Sequence, residues 1–366
     1  MNSRDKIKRV LIYRLGSLGD TVVALPSLHL VARAFPQAER LMLTNLPVHA
    51  KAPAASAVLE NSGLVHGYIN YPIGTRNLCQ LTTLWWKILR FRPQMLIYLA
   101  KPRGQHSIRR DVTFFKACGV SNIIGVPVGD FAQSLYHSER GTWESESARL
   151  LRSLCELGEI NPDDSRNWDL NLAASEHDAA LRVLAPIGRR RFLVCGPGTK
   201  MQAKDWGKEN WRRLLSSLSN RFPEHALVLI GAKDEEDYCA YVACEWQSTV
   251  LNCCGRLSPR ESAALLTRAE LFLGPDSGPM HLAAAVGVPC AIAFAARTMP
   301  GIWYPWGSGN QIVYHAVNCM ACDIETCIEN KKKCLTSITV EEMVNAALAA
   351  WAYGTKSIEE GKVSRD

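Results

Sequence analysis

At 366 residues, 47% of them hydrophobic and 21% charged, the chain has the profile of a soluble globular protein long enough for two domains. Its 42 Lys and Arg against 35 Asp and Glu leave a net charge of +7, which suits anionic small molecules or an anionic membrane surface; with no RNP, zinc-finger or helix-turn-helix pattern, no nucleic-acid partner is expected. The longest uncharged apolar run, Leu282–Ala296, is too short to span a bilayer and is broken by Gly287 and Pro289, while the first apolar run, Val10–Tyr13, is cut off by Arg14 and reads as a strand rather than a signal peptide, so a cytoplasmic location is expected.

Residues 9–13 (RVLIY) predict a strand, LGSLGD (15–20) the loop after it, and 21–35 a helix that starts or kinks around Pro26. This is the layout of a nucleotide-binding first βα turn, although Gly16 and Gly19 are spaced G-x-x-G and the third glycine of the dinucleotide fingerprint is absent. Asp20 closes the loop at the carboxyl end of the first strand, where ligands bind in open α/β sheets; on residue type alone it equally reads as a cap for the following helix. Strands at 41–44 and 68–70 alternate with helices at 48–60 and 77–91, the latter striped by Leu81, Leu84, Trp85, Ile88 and Leu89. MLIYLA (95–100) suits a central parallel strand, and it runs into KPRGQHSIRR (101–110), expected as a basic loop. Lys101, Arg103, Arg109 and Arg110 there are candidates for an anionic acceptor, against the ordinary alternative of a solvated charged face. An amphipathic helix over 143–158 ends at Gly158.

The domain junction is expected within 159–190, with 1–172 as the first domain, 173–190 as a linker and 191–338 as the second domain. In the second domain, strands at 192–195, 226–231, 250–254, 270–274 and 290–295 alternate with helices at 209–222, 234–246 and 259–269. Two βα series argue for two Rossmann-like domains with a cleft between them.

The loops of the second series carry the chemistry. GPGTKMQAKDW (196–206) offers glycines for close backbone approach, the Thr199 hydroxyl, and the ammonium groups of Lys200 and Lys204 for phosphate. In GAKDEED (231–237), Glu235 can accept both hydroxyls of a ribose, and GRLS (255–258) ends the next strand. FLGPDSGPMHLAAAVGVP (272–289) is a strand end, a tight polar turn and an alanine-rich helix. Its N-terminus, opened by Ser277 and Gly278 with His281 in the first turn, favours an anion. Such loops on one sheet edge describe a nucleotide site.

Taken together, RLGSLGDTVVALPSLHLV (14–31), PGTKMQAKDWGKENWRRLL (197–215), IGAKDEE (230–236) and the 272–289 motif resemble glycosyltransferase family 9, the ADP-heptose:lipopolysaccharide heptosyltransferases, over nearly the whole chain. The resemblance implies the GT-B fold, an α/β architecture of two Rossmann-like domains facing across a cleft, with the acceptor on the first and the nucleotide-sugar donor on the second. It also implies a C-terminal helix within 339–366 that crosses back to the first domain. It makes Asp20 the general base on the acceptor hydroxyl and places Thr199 and Lys204 on the donor diphosphate. It puts Glu235 on the ribose, Leu257 at the adenine, and Asp276, Ser277, Gly278 and His281 against donor sugar and phosphates. The implied reaction is an inverting transfer of heptose from ADP-heptose to a lipopolysaccharide inner-core acceptor (Kdo or heptose), needing no cofactor or divalent metal for catalysis. The implied partners are the nucleotide-sugar and an anionic glycolipid, with peripheral contact at the inner face of the cytoplasmic membrane. A protein acceptor, a non-catalytic nucleotide-binding protein and a nucleotide-sugar epimerase of GT-B-like fold are the alternatives.

Thirteen cysteines is many for a cytosolic chain. Nine, in mostly apolar settings, are expected as buried thiols; Cys319, Cys322, Cys327 and Cys334, spaced C-x2-C-x4-C-x6-C within the insertion 317–334, argue for a structural zinc or iron site rather than disulfides. The same stretch is similar to the four-cysteine iron site of heptosyltransferases that modify autotransporter proteins.

Overall fold

A computed structural model of the chain describes residues 3–46, 53–75 and 77–359. Its contacts divide into two compact units, Met1–Asn171 and Leu172–Asp366. The first unit runs β1 (Arg9–Tyr13), α1 (Leu18–Val23), α2 (Leu25–Ala34), β2 (Glu39–Thr44), α3 (Ser56–Leu59), β3 (Gly67–Asn70), α4 (Leu78–Phe91), β4 (Met95–Tyr98), α5 (Gln105–Ala117), β5 (Ile123–Ile124), the short hairpin β6 (Tyr136–His137) and β7 (Thr142–Trp143), and α6 (Glu146–Ser153). Its sheet has the order β3-β2-β1-β4-β5, and every pairing is parallel. Val10–Tyr13 and Met95–Tyr98 are buried throughout, which is why these strands read as unbroken apolar runs rather than alternating ones.

The second unit runs α7 (Ala174–Leu184), β8 (Phe192–Cys195), α8 (Lys208–Ser219), β9 (Ala226–Leu229), α9 (Glu236–Val242), β10 (Val250–Asn252), α10 (Pro259–Leu266), β11 (Phe272–Pro275), α11 (Gly278–Ala285), β12 (Cys290–Phe294), β13 (Gln311–Tyr314), α12 (Lys333–Thr336) and α13 (Val340–Glu359). Its parallel sheet has the order β10-β9-β8-β11-β12-β13, with the order reversing at β8 and β11. Helix α10 starts at a reciprocal cap. The Ser258 hydroxyl accepts the Glu261 N–H at 3.2 Å and the Glu261 carboxylate accepts the Ser258 N–H at 2.7 Å. Thr339 and Glu342 make the same pair at the start of α13. That helix buries Met343, Ala346, Ala347 and Ala350 in one core with Leu193, Trp206, Trp211, Leu214 and Leu227. Its Trp351 indole donates to Glu270 at 2.9 Å, where His225 and Arg191 also converge.

The structure departs from sequence expectation in several places. The helix expected over 143–158 is shorter, Glu146–Ser153, with Trp143 in β7, and of the expected α4 stripe Trp85 and Leu89 are exposed while Leu84 and Ile88 are buried. The stretch 173–190, expected as a linker, contains α7, whose Ala179, Ala180 and Leu184 are buried and which packs on α10. The basic segment 101–110 is not all loop. Gly104, at φ 85, opens α5, and Ile108, Asp111 and Phe115 turn inward at helical spacing, a stripe that the surrounding charges obscure. The helix expected over 48–60 is one turn at Ser56–Leu59, because Pro53 interrupts it; residues 48–52 of that expectation lie outside the described residues, as do residues 360–366 of the C-terminal segment. The helix expected from 21 begins at Leu18 behind Ser17 and breaks at Ala24, with Pro26 in the first turn of α2. Finally, of the nine scattered cysteines, Cys79, Cys155 and Cys244 are exposed rather than buried.

Candidate functional site

In the first unit, Asp20 stands in the first turn of α1, just past the carboxyl end of β1. Its Oδ2 accepts the Ser17 N–H at 2.8 Å and the Ser17 hydroxyl at 3.1 Å, so Ser17 is the N-cap, and Asp20, expected as the cap itself, serves the helix start by reaching back from its third position. Among the described residues Oδ1 carries no such bond: it lies 4.0 Å from Nη2 of Arg14, too far for a hydrogen bond. Gly16, at φ 137, lies against this carboxylate, and a Cβ there would overlap Cβ and Cγ of Asp20. Behind Asp20 the buried Arg14 donates to the carbonyls of Asp20 (2.7 Å) and Leu99 (2.6 Å) and pairs with Glu146 at 3.5 Å. Glu146 is clamped in turn by Arg149 at 2.7 and 2.8 Å. Glu146 and Arg149 lie on α6, and nothing in the LGSLGD motif signals them.

The basic residues after β4 separate. Arg103 and Arg110 both turn onto the buried Asp111, at 2.7 and 3.0 Å, and Arg103 also donates to the Tyr13 hydroxyl at 2.7 Å. Tyr98 donates to the same carboxylate at 3.0 Å; burial pushes the Tyr98 and Tyr13 hydroxyls far up, with the Asp111 charge adding to the effect. Lys101 is exposed on the loop and Arg109 is exposed on α5. A cavity of about 510 Å³ in this unit, lined by Leu30, Arg33, Leu157 and Asp164 among others, includes neither Asp20 nor these basic residues.

In the second unit, loops after successive strands converge. Lys204, after β8, reaches the buried Asp276, after β11, with Nζ 2.8 Å from Oδ2. Glu235, after β9, accepts the Ala232 N–H at 2.8 Å and lies flat against Gly198 of the β8 loop, where any Cβ would overlap its carboxylate. Thr199 Oγ accepts the Met201 N–H at 3.4 Å, and Lys200 is exposed. Leu257, half-buried, lies on the loop after β10. Ser277 caps α11 in extended conformation, and its buried hydroxyl has no hydrogen-bond partner among the described residues. Gly278 and Pro279 start the helix, and the buried His281 follows in the first turn, its ring 6.4 Å from that of Trp303. A cation, a helix N-terminus and an orphan hydroxyl on one side, with a carboxylate on a glycine floor on the other, suit a diphosphate joined to a ribose.

The four clustered cysteines ring one small cavity of about 20 Å³ together with Ala296, Arg297, Lys332 and Lys333. Among the described residues, no three His, Cys, Asp or Glu side chains converge closely enough to form a metal-ligand set. All thirteen cysteines are free thiols. Burial pushes the Cys334 thiol up, opposed by a hydrogen bond from the Ala296 backbone and reinforced by the thiols of Cys319, Cys327 and Cys322. By donor type, four thiols lining one void suit a thiophilic metal, but their sulfurs do not converge on one ligand set; the Lys332 N–H donates to Cys327 Sγ at 3.3 Å.

A model of glycosyltransferase family 9 (heptosyltransferase) matches residues 149–333. The chain is 28% identical over 168 residues to lipopolysaccharide heptosyltransferase 3 of Escherichia coli, a match covering 45% of this chain and 48% of that protein. It is 26% identical over 164 residues to lipooligosaccharide heptosyltransferase 2 of Campylobacter jejuni, covering 43% of this chain and 50% of that one. The chain thus spans about half the length of the relatives it matches. Among solved structures, the family 9 glycosyltransferase of Veillonella parvula shares the fold at a TM-score of 0.71 and 15% identity, with 94% of this chain and 98% of that one covered.

Proposed function

The chain belongs to glycosyltransferase family 9, and on that premise we propose that it is an inverting glycosyltransferase that moves heptose from ADP-heptose to an anionic lipopolysaccharide inner-core acceptor, Kdo or heptose. The observation that carries this reading is the meeting of Lys204, Asp276, Glu235 and the N-terminus of α11 at the carboxyl ends of β8, β9 and β11. Lys204 and the first N–H groups of α11 hold the diphosphate, with Thr199, Ser277 and His281 beside them; Glu235 takes the ribose hydroxyls and Leu257 the adenine. Lys200, Asp276 and Gly278 complete the donor contacts. Asp20 Oδ1 takes the proton of the acceptor hydroxyl as its oxygen bonds to the anomeric carbon. The bond from that carbon to the phosphate oxygen breaks with inversion, and ADP leaves with the electron pair, its charge met by Lys204 and the helix N-terminus. No cofactor enters these steps. Among the described residues the remaining charged candidates for the acceptor are Lys101, Arg103 and Arg109, of which Arg103 is already oriented by Asp111.

Two further parts of the reading concern placement. No helix among the described residues is long and apolar enough to cross a membrane. Helix α4 nevertheless exposes Leu78 (75%), Trp86 (52%), Trp85 (36%) and Leu89 (37%) beside its buried Leu84 and Ile88, with the Trp85 indole donating to the Ala117 carbonyl at 2.9 Å and Arg90 stacked over Trp86. An apolar tryptophan face beside cations suits the headgroup level of an anionic bilayer and supports the reading of peripheral contact with the inner face of the cytoplasmic membrane. Cys319, Cys322, Cys327 and Cys334 would hold one structural zinc or iron, which fixes their segment and takes no part in transfer.

The test is incubation of the purified protein with ADP-heptose and deacylated inner-core oligosaccharide. ADP release that requires the oligosaccharide supports transfer. Release without any acceptor would assign a hydrolase, conversion of ADP-heptose to an isomer without release would assign an epimerase, and binding with neither would leave a nucleotide-binding protein; release only with a protein acceptor would redirect the substrate.

A further inference from the structure

Lys204 stands on a loop that is held from outside on both flanks. The Cys327 N–H donates to Gln202 Oε1 at 2.8 Å, and the Ala203 N–H donates to the Glu325 carbonyl at 3.0 Å. On the other flank, Lys332 Nζ donates to the Asp205 carbonyl at 2.7 Å and lies 3.4 Å from its carboxylate. Every one of these partners comes from the Cys-rich segment, more than a hundred residues away in sequence. Asp205 passes the constraint on, since its carboxylate also accepts the Gly207 N–H at 2.9 Å and the Tyr238 hydroxyl at 3.3 Å.

Cys327 is the hub. Its N–H fixes Gln202, while its sulfur accepts the N–H of Lys332, the residue whose ammonium reaches Asp205. Lys332 is held at φ 56, and Ala321, Asp323 and Lys331 are also non-glycine residues at positive φ. Residues of this kind keep such conformations only where their surroundings hold them, so the segment's shape is set by its contacts and not by local preference. The segment is tied to the other neighbouring strand end as well: Ala321 N–H donates to Ala296 at 2.9 Å, Asp323 N–H donates to Arg297 at 3.0 Å, and the Arg297 guanidinium donates to the Ile324 carbonyl.

We propose that the Cys-rich segment braces the donor site, with Gln202 and Lys332 as positioning residues that hold the 202–205 backbone so that Lys204 meets the donor diphosphate. The proposal rests on the reading of Lys204 as a diphosphate contact. It gives the thiol cluster a task in ligand affinity: whatever loosens the cluster loosens the hold on ADP.

A double-mutant cycle read by calorimetric titration of the full chain with ADP tests it. Lys204→Met should weaken ADP binding by roughly tenfold or more, and Lys332→Met by roughly 3–10-fold, with Lys332→Arg restoring most of the loss because it keeps a donor for the Asp205 carbonyl. In the double variant the Lys332→Met loss should vanish, since no ammonium remains to be positioned; a merely structural role would give the same loss in both backgrounds and would overturn the brace. Near-UV circular dichroism checks folding, and Gln202→Leu provides the same cycle if Lys332→Met does not fold. Lys204→Met weak but Lys332→Met and Gln202→Leu binding like wild type would overturn the brace alone. Lys204→Met binding ADP like wild type would remove Lys204 from the donor site, and the brace with it.

Discussion

Asp20→Asn separates the two roles that the geometry of Asp20 combines. The cap uses Oδ2, which accepts from the Ser17 N–H and hydroxyl, and an Asn carbonyl can accept both. The lost charge faces only Arg14, at 4.0 Å, and Arg14 keeps the carbonyls of Asp20 and Leu99 and the Glu146 carboxylate. The folding cost should therefore stay near ~1 kcal/mol, a small shift in a denaturation midpoint. The chemical cost is of another size. An amide does not take the acceptor's proton, and general-base help is worth about 10²–10⁴-fold, or roughly 2.7–5.4 kcal/mol of barrier. Three measurements on one preparation decide it: urea unfolding, ADP titration, and ADP release with oligosaccharide acceptor. Near-wild-type stability and ADP affinity with transfer down at least about a hundredfold is the expected pattern. Transfer within a few-fold of wild type in a folded variant would refute Asp20 as the base and leave it a helix cap.

Gly198→Ala should push the Glu235 carboxylate aside, because the new Cβ overlaps it; ADP affinity should fall by about tenfold while the affinity for inorganic pyrophosphate, which has no ribose, stays level in competition titrations. Glu270 makes stability acid-sensitive. Although burial acts to raise its pKa, hydrogen bonds from His225, Arg191 and Trp351 hold it at about 2, below its ordinary value of 4.5. A depressed carboxylate stabilises above its unfolded pKa and loses that contribution as pH falls through the folded one, so the gap in unfolding free energy between wild type and Glu270→Gln should be largest above pH 4.5, on the order of 3 kcal/mol, and close toward pH 2. A gap independent of pH would count against the assignment. Elemental analysis of protein purified without an affinity metal should find about one zinc or iron per chain, lost in the Cys322→Ser/Cys327→Ser variant; absence of both metals from the wild type would end the metal reading.

Much of this was legible in the sequence because the carriers are local. Strands buried on both faces announce themselves as apolar runs, and each donor loop follows its strand directly, so Lys204, Glu235 and Ser277 could be placed at one sheet edge from order alone. What was hidden depends on side chains that meet across long stretches of chain. Glu146 and Arg149 back Asp20 from α6, and Asp111 holds Arg103 and Arg110 against its buried carboxylate, which makes a basic segment that resembles a loop into a helix with a buried acid. Lys332 is one of three successive lysines in the sequence, and only the fold shows it reaching Asp205. The α7 stretch failed for a related reason: its Pro186 and its arginine run suggest a linker, while the buried face of Ala179, Ala180 and Leu184 is too small to stand out.

The seating of α13 over the second sheet has a consequence for biosynthesis. β12 and β13 pack against α13, and Ala291 and Ala293 of β12 share its core with Met343, Ala347 and Ala350, which leave the ribosome after them. At ~5–20 residues per second the delay is roughly three to ten seconds, an interval in which an apolar sheet face stands without its lid. The nascent second unit should therefore be a client of chaperones that shield exposed hydrophobic surface. Substitutions that weaken α13, such as Met343→Asp, should lower the yield of soluble protein more than they change the properties of the molecules that do fold.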